Sequence, residues 1–443
     1  MKKKGLSYTE IFSTYSRFYP ELLYGRENDL RELLSFLRGN ATLFFLKGTR
    51  RVGKSSTLLT LLKIISFEKY KRIYDVKGNW IPIYISLDMI KDLQGLTVNL
   101  LPIPKIGMFR RKKFNYKTWR DLKNSTRYPL YVKKFLNIIL ENFTNTRSFG
   151  IGIEGLSFSS DIGVEKIVEP KITLKILEDA AITSKSKIAL VIDEAQRAYS
   201  WAQDFIQFLK TINDEYQETF KVMITGSLVR PVEMLVSHKY ESELHGREII
   251  TYKLREITVE DSIKMLKEGF DSAEAKYDDW VISSAINLTY RIPGWLALLG
   301  KNYVESKESD VKKRIIDAIT KSYKEVGKSI REEINTIKRI KKDQYYYNAI
   351  QTILKKKEVK PYDLSNELKC DIKEAKKILN KLEEMDFVLR EENNIYKLND
   401  PTLITLYKEF KFNEEACPIC GKGKALVGNI KYLVRFDCGH LIW

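Results

Sequence analysis

One eight-residue stretch, Gly48-Thr-Arg-Arg-Val-Gly53-Lys54-Ser55, constrains the fold of this chain more than any other feature. It follows a short apolar run, Ala41 to Leu46. It precedes a segment, Ser55 to Ser66, with apolar residues at helical spacing. Strand, glycine-rich turn and helix, in that order, open an α/β unit. The glycines let the backbone curl until its N–H groups face phosphate oxygens. The N-terminus of the following helix adds its positive dipole end. In such a cradle Lys54 reaches the β and γ phosphates and Ser55 binds Mg2+.

A second feature belongs to the same chemistry. Ile188 to Ile192 is fully apolar, as expected of a strand inside a sheet covered on both faces, and it runs into Asp193-Glu194. A carboxylate at the carboxyl end of a central strand lies beside a phosphate loop. Asp193 then holds the Mg2+ shell, and Glu194 polarises an attacking water.

Further strands are expected at Ile81 to Leu87, Lys221 to Thr225 and Glu248 to Leu254. Helices are expected at Glu27 to Leu37, Tyr131 to Phe143, Ile172 to Ser184 and Phe205 to Glu215. Residues 92–135 read as irregular and basic. Ser148 to Val168 alternates around Ser159-Ser160-Asp161 and reads as a β-hairpin. After Leu254 the pattern is helical. Thr258 and Asp261 give a capping signal, and Pro293 interrupts a segment from Tyr290 to Gly300. Residues 343–400 read as three helices and two short strands, Phe387 to Leu389 and Asn394 to Leu398, a helix-turn-helix with a wing.

The chain has 443 residues and a net charge of +18, an excess that suggests a polyanionic partner. Between Lys105 and Lys134 stand eleven basic residues and one acid, Asp121, with Phe109, Phe114, Tyr116, Trp119, Tyr128 and Tyr131 interleaved. Basic side chains neutralise phosphates while aromatic faces stack on bases or sugars; the alternative is a solvated loop. Residues 361–400 hold seven basic and ten acidic residues, which favours a protein contact there over simple DNA reading. No uncharged stretch reaches the length of a membrane span, and Met1-Lys-Lys-Lys4 leads into no apolar signal region. The expected location is cytoplasmic. Three of four Cys lie in the last 27 residues. Cys417-x-x-Cys420 and Cys438-Gly-His440 are a donor set for a structural Zn2+ site; reduced thiols without metal are the other reading. Cys370 stands alone and reads as a buried apolar residue.

On these motifs the chain resembles the archaeal branch of the AAA+ P-loop ATPases, related to origin-recognition initiators and to STAND signalling ATPases. The resemblance covers about residues 18–400. It is carried by Tyr24-Gly-Arg26-Glu27, GTRRVGKSS at 48–56, LVIDEAQ at 190–196, ITGS at 224–227, His245-Gly-Arg247 and Arg291-Ile-Pro-Gly-Trp-Leu296. It implies an α/β fold: a doubly wound parallel P-loop AAA+ sheet with a helical lid, a winged-helix domain and a small zinc-ribbon tail. The implied boundaries are 1–256 for the ATPase core, with its basic insertion and hairpin at 92–170, 257–325 for the lid, 326–412 for linker and winged helix, and 413–443 for the ribbon.

The resemblance also implies roles. ATP is held by Gly48, Thr49, Arg50, Arg51, Val52, Gly53, Lys54, Ser55 and Ser56, together with Arg26. Mg2+ is held by Ser55 and Asp193, and Zn2+ by Cys417, Cys420, Cys438 and His440. Thr225 and Ser227 stand where a polar sensor reads the γ-phosphate, with Ser227 preferred. Arg247 matches an arginine finger acting on a neighbouring subunit of a homo-oligomer, and Arg291 a lid contact to nucleotide. Three uses of the ATPase cycle remain open: work on double-stranded DNA, a nucleotide-gated switch with a protein partner for the winged helix, and a DNA-binding transcription regulator.

Overall fold

The computed structural model describes residues 6–100, 129–145, 169–226, 249–319, 321, 322, 325, 344–384, 387–398, 434, 435, 441 and 442. In chain order the first elements are α1 (Tyr8–Ile11), α2 (Glu27–Arg38), β1 (Leu43–Lys47), α3 (Lys54–Ser66), α4 (Glu68–Ile73), β2 (Trp80–Ser86), α5 (Leu93–Leu100) and α6 (Leu130–Asn145). Then come α7 (Pro170–Thr183), β3 (Lys187–Asp193), α8 (Ala202–Glu215), β4 (Phe220–Thr225) and β5 (Ile249–Lys253). The helices α9 (Val259–Ser272), α10 (Asp279–Thr289) and α11 (Pro293–Val304) follow. Further on lie α12 (Gln344–Lys356), β6 (Glu358–Val359), α13 (Pro361–Leu368), α14 (Ile372–Glu384), β7 (Val388–Arg390), β8 (Tyr396–Leu398), β9 (Val434–Arg435) and β10 (Leu441–Ile442).

The chain divides into two compact units. One comprises Asp29–Lys47 and Thr57–Lys253; the other comprises Met1–Asn28, Gly48–Ser56 and Leu254–Trp443. The first holds a five-stranded sheet of order β2-β3-β4-β1-β5, parallel throughout. Its central strands β3 and β4 are buried along nearly their whole length, which is why they read as continuous apolar runs. Leu190, Ile192, Val222 and Ile224 join Leu174, Leu177, Phe205 and Leu209 in its core. Each such side chain contributes about 1.5–3 kcal/mol by leaving water. Lys221 is the charged exception in β4. Its Nζ donates to the carbonyls of Gly39, Asn40 and Ala41 at 2.7, 3.2 and 2.5 Å, just past the end of α2.

The second unit packs α1 and α9–α11 around Phe12, Met265, Phe270, Leu296 and Tyr303. Gly269 and Gly300 leave room for the Phe12 ring, which a Cβ at either position would strike at 2.1 or 2.5 Å. Thr258 caps α9, accepting from the Asp261 amide at 3.1 Å, as its spacing predicts. Pro293 differs from expectation. It does not interrupt a helix but begins one, because Tyr290 and Arg291 adopt left-handed backbone (φ 50° and 60°) and end α10 beforehand. The fixed φ and missing N–H of proline suit that first helical position. Residues 93–100, expected to be irregular, form α5, whose Leu96 and Leu100 enter the sheet core.

Residues 344–398 run helix, strand, helix, helix, strand, strand, with an antiparallel sheet of order β6-β8-β7. The strand β6 has only two residues, too short to carry an alternating pattern. Near the C-terminus β9 and β10 pair antiparallel. Residues 105–128 of the basic stretch and the hairpin expected at 148–168 lie outside the described residues. No helix among the described residues is long and apolar enough to cross a membrane.

Candidate nucleotide-binding site

The segment between β1 and α3 is the glycine-rich loop. Gly48 and Gly53 have φ of 150° and 106°, values that side chains rarely adopt. A Cβ at Gly48 would also meet the Leu254 carbonyl oxygen at 2.6 Å, so glycine is required there twice over. Arg51 has φ 59° without being glycine, a conformation that costs about 1–2 kcal/mol and needs outside support. That support is visible. The Gly294 amide donates to the Arg51 carbonyl at 3.0 Å, and the Arg51 guanidinium lies over the Trp295 ring at 4.4 Å. Burial, with Arg50 beside it, lowers the pKa of Arg51. The Lys54 Nζ donates to the carbonyls of Gly48 and Thr49 at 2.7 and 3.0 Å, at the mouth of the same loop.

Two arginines brace the loop from the N-terminal segment. Arg26, 3% exposed, donates through Nη2 to the Val52 carbonyl at 2.6 Å. The Arg17 amide donates to Ser56 Oγ at 3.0 Å. Its guanidinium donates to the Leu22 carbonyl at 2.8 Å and to the Ile11 carbonyl. Burial brings the pKa of Arg17 down to about 10. Nearby, Tyr24 donates to Glu268 at 2.7 Å.

The carboxylates stand at the end of β3 in the sheet unit. Asp193 is 3% exposed. Its Oδ1 accepts from the Glu194 amide at 2.8 Å and its Oδ2 from the Tyr84 hydroxyl at 2.6 Å. These bonds fill two of a carboxylate's roughly four acceptor positions. Glu194 sits in left-handed backbone (φ 57°), and its carbonyl accepts from the Arg197 amide at 2.9 Å. Arg197 also pairs with Asp88 at 3.3 Å. Burial first, then Asp193, push the Tyr84 phenol well above its ordinary range.

Of the other expected site residues, Thr225 spends its hydroxyl on the Leu46 carbonyl at 2.9 Å. Arg291 pairs with Glu256 at 3.0 Å. Ser227, Arg247, Cys417, Cys420, Cys438 and His440 lie outside the described residues. Among the described residues no group of three or more His, Cys, Asp or Glu is arranged to hold a metal. The sequence reading missed Arg17, Tyr84, Asp88 and Arg197. For Tyr84 a faint signal exists, a phenol in an otherwise apolar strand two residues before Ser86.

The residues suit a nucleoside triphosphate and a hard cation. The loop turns on positive-φ glycines, as a phosphate cradle must, and buries its lysine. Asp193, a carboxylate with acceptor capacity to spare, is an oxygen donor of the kind Mg2+ prefers.

No protein-family model matches this chain, and no curated protein matches it by sequence. Solved structures do. A Walker-type ATPase of Pyrococcus abyssi aligns with a TM-score of 0.63 at 20% identity, over 89% of this chain and 99% of that one. The ORC2 protein of Aeropyrum pernix, in ADPNP–ADP complexes, gives 0.53 at 10% identity, over 90% of this chain and 96% of its own. At such identities the likeness is one of fold, an α/β fold built on a central parallel sheet.

Proposed function

We propose that the chain is a Mg2+-dependent ATPase of the AAA+ type that works on, or is recruited to, double-stranded DNA. One observation carries the ATPase reading. Gly48–Ser55 leaves the carboxyl end of β1, and Asp193-Glu194 stands at the carboxyl end of β3, in a parallel sheet that inserts β4 between them. Similarity in fold to a Walker-type ATPase, and to a protein solved with ADPNP and ADP, supports it.

In this reading residues 48–56 hold the triphosphate through backbone N–H groups. Lys54 leaves its carbonyl partners for phosphate oxygens, and Ser55 and Asp193 hold Mg2+, which neutralises charge on the phosphates. Glu194 orients the water for in-line attack on the γ-phosphate. Ser227 reads the γ-phosphate. Arg247 acts in trans within a homo-oligomer. Arg291 reaches nucleotide only after giving up Glu256. Arg26 serves the nucleotide indirectly, by holding the loop at Val52.

For DNA, the supporting observation is the exposed face of α14. Taken whole, the helix and its flanks are near neutral. Its solvent side, however, presents Lys373, Lys376 and Lys377, with Lys369 and Asp371 exposed just before it. Glu374 is half-buried and paired to Lys377. Ala375, Ile378, Leu379 and Leu382 face inward. We read residues 344–398 as a winged helix and α14 as its groove-entering helix. We read Cys417, Cys420, Cys438 and His440 as a structural Zn2+ set in a small ribbon.

The test is steady-state ATP hydrolysis at low salt, with and without duplex DNA, with Lys54→Ala as the blank. Several-fold stimulation that disappears as salt rises is expected. Turnover indifferent to DNA would overturn the DNA reading, and turnover equal in Lys54→Ala the ATPase reading.

A further inference from the structure

We infer that Tyr84 is a positioning residue that sets the carboxylate of Asp193 for its divalent cation. The inference rests on the ATPase reading above, and it concerns a residue on a different strand from the acidic pair.

The strands β2 and β3 are parallel, with Tyr84 opposite Val191 and Ser86 opposite Asp193. Side chains two residues apart share a sheet face, so the register puts Tyr84 and Asp193 on one face, one step apart along the diagonal. The Tyr84 hydroxyl closes that gap at 2.6 Å to Oδ2, while the Glu194 amide holds Oδ1 at 2.8 Å. A carboxylate bonded through both oxygens, one by a group on β2 and one by the residue just past β3, cannot rotate about its Cβ–Cγ bond without losing one of them. The chemistry of the donor matters as well. A lysine or arginine here would neutralise Asp193 and compete with a cation for it. A phenol supplies a hydrogen bond and no charge, so the carboxylate keeps its negative charge for the metal. Arg197 is directed to Asp88, and Asp88 also accepts from Ser86 Oγ at 3.2 Å. Hydrogen-bond partners of metal-binding carboxylates typically change metal affinity by about 10- to 100-fold when removed.

The experiment is equilibrium titration of the full chain with fluorescent N-methylanthraniloyl-ATP, in EDTA and across a Mg2+ series, read by fluorescence rather than by turnover. For Tyr84→Phe we expect unchanged affinity in EDTA, an unchanged melting temperature, and a Mg2+ concentration for half-effect raised on the order of 10-fold. In an Asp193→Asn background the same change should add nothing. A Mg2+ half-effect in Tyr84→Phe equal to or below that of the wild type would overturn the inference. So would a shift that persists in full when Asp193 is already Asn. If the wild type binds no labelled nucleotide, or Lys54→Ala binds it equally well, the ATPase reading itself fails and takes this inference with it. Lys54-dependent binding with no Tyr84 effect removes the inference alone.

Discussion

The guanidinium of Arg51 lies 4.4 Å from the centre of the Trp295 ring, and the amide next to that tryptophan, on Gly294, donates to the Arg51 carbonyl at 3.0 Å. Two motifs about 240 residues apart in sequence are thereby fastened, the glycine-rich loop and the first turn of α11. A Cβ on Gly294 would meet Arg51 Cβ at 2.7 Å and its carbonyl oxygen at 2.9 Å, so both the backbone bond and the stack depend on glycine there.

From that contact, Gly294→Ala should weaken ATP binding by on the order of 10-fold, because the left-handed turn at Arg51 loses its support, equivalent to about 1–2 kcal/mol. Arg51→Lys should fall between wild type and Arg51→Ala, since an ammonium keeps charge but not the planar stack. Titration with labelled ATP measures both, with a thermal melt to show that the fold survives.

Lys221 offers a stability test remote from the loop. Lys221→Met keeps the apolar stem and removes the donor to three carbonyls beyond α2. Ala41 is buried, and an unmet buried acceptor costs about 1–3 kcal/mol; Gly39 and Asn40 are exposed and turn to water, so a loss of about 1–3 kcal/mol is expected. In urea the midpoint should fall with little change in slope.

The alkaline side of the stability profile should carry a tyrosine signature. Burial pushes the Tyr303 phenol up to about 12, and it pushes Tyr24 up as well, with Glu268 beside it. A raised folded-state pKa means that the native chain holds the proton longer than the unfolded chain, whose tyrosines titrate near pH ~10. The stabilisation is complete below about pH 10 and is lost as pH rises towards about 12. Urea midpoints measured from pH 8 upward should decline through that window. Tyr303→Phe should flatten the decline, at the expense of the bond from its hydroxyl to the Lys276 carbonyl at 2.6 Å.

The zinc reading predicts about one Zn2+ per chain by atomic emission. Cys420→Ser should abolish it while leaving Lys54-dependent ATP binding intact. A metal-free wild type purified without chelator would refute the reading.

Whatever rests on local chemistry is legible in the order of the residues. Gly48, Gly53 and Lys54 announce a phosphate loop because backbone curl and charge are properties of adjacent residues. The apolar run before Asp193 announces a buried strand, and the spacing of Thr258 and Asp261 announces a cap. Where the local signal is weak the structure departs from it: the eight residues of α5 border a basic stretch that masks their spacing, β6 is too short to alternate, and Pro293 starts a helix because the left-handed pair before it ends the previous one. Partners distant in sequence come from packing. Tyr84 and Asp193 are 109 residues apart, and Tyr24 and Glu268 are 244 apart. Lys221 meets its carbonyls across about 180 residues. The first pair depends on strand order and register and the second on how α9 packs against the N-terminal segment, and neither leaves a trace in the neighbouring sequence. The same holds for α14, which is near neutral in sequence and whose packing turns Lys373, Lys376 and Lys377 outward.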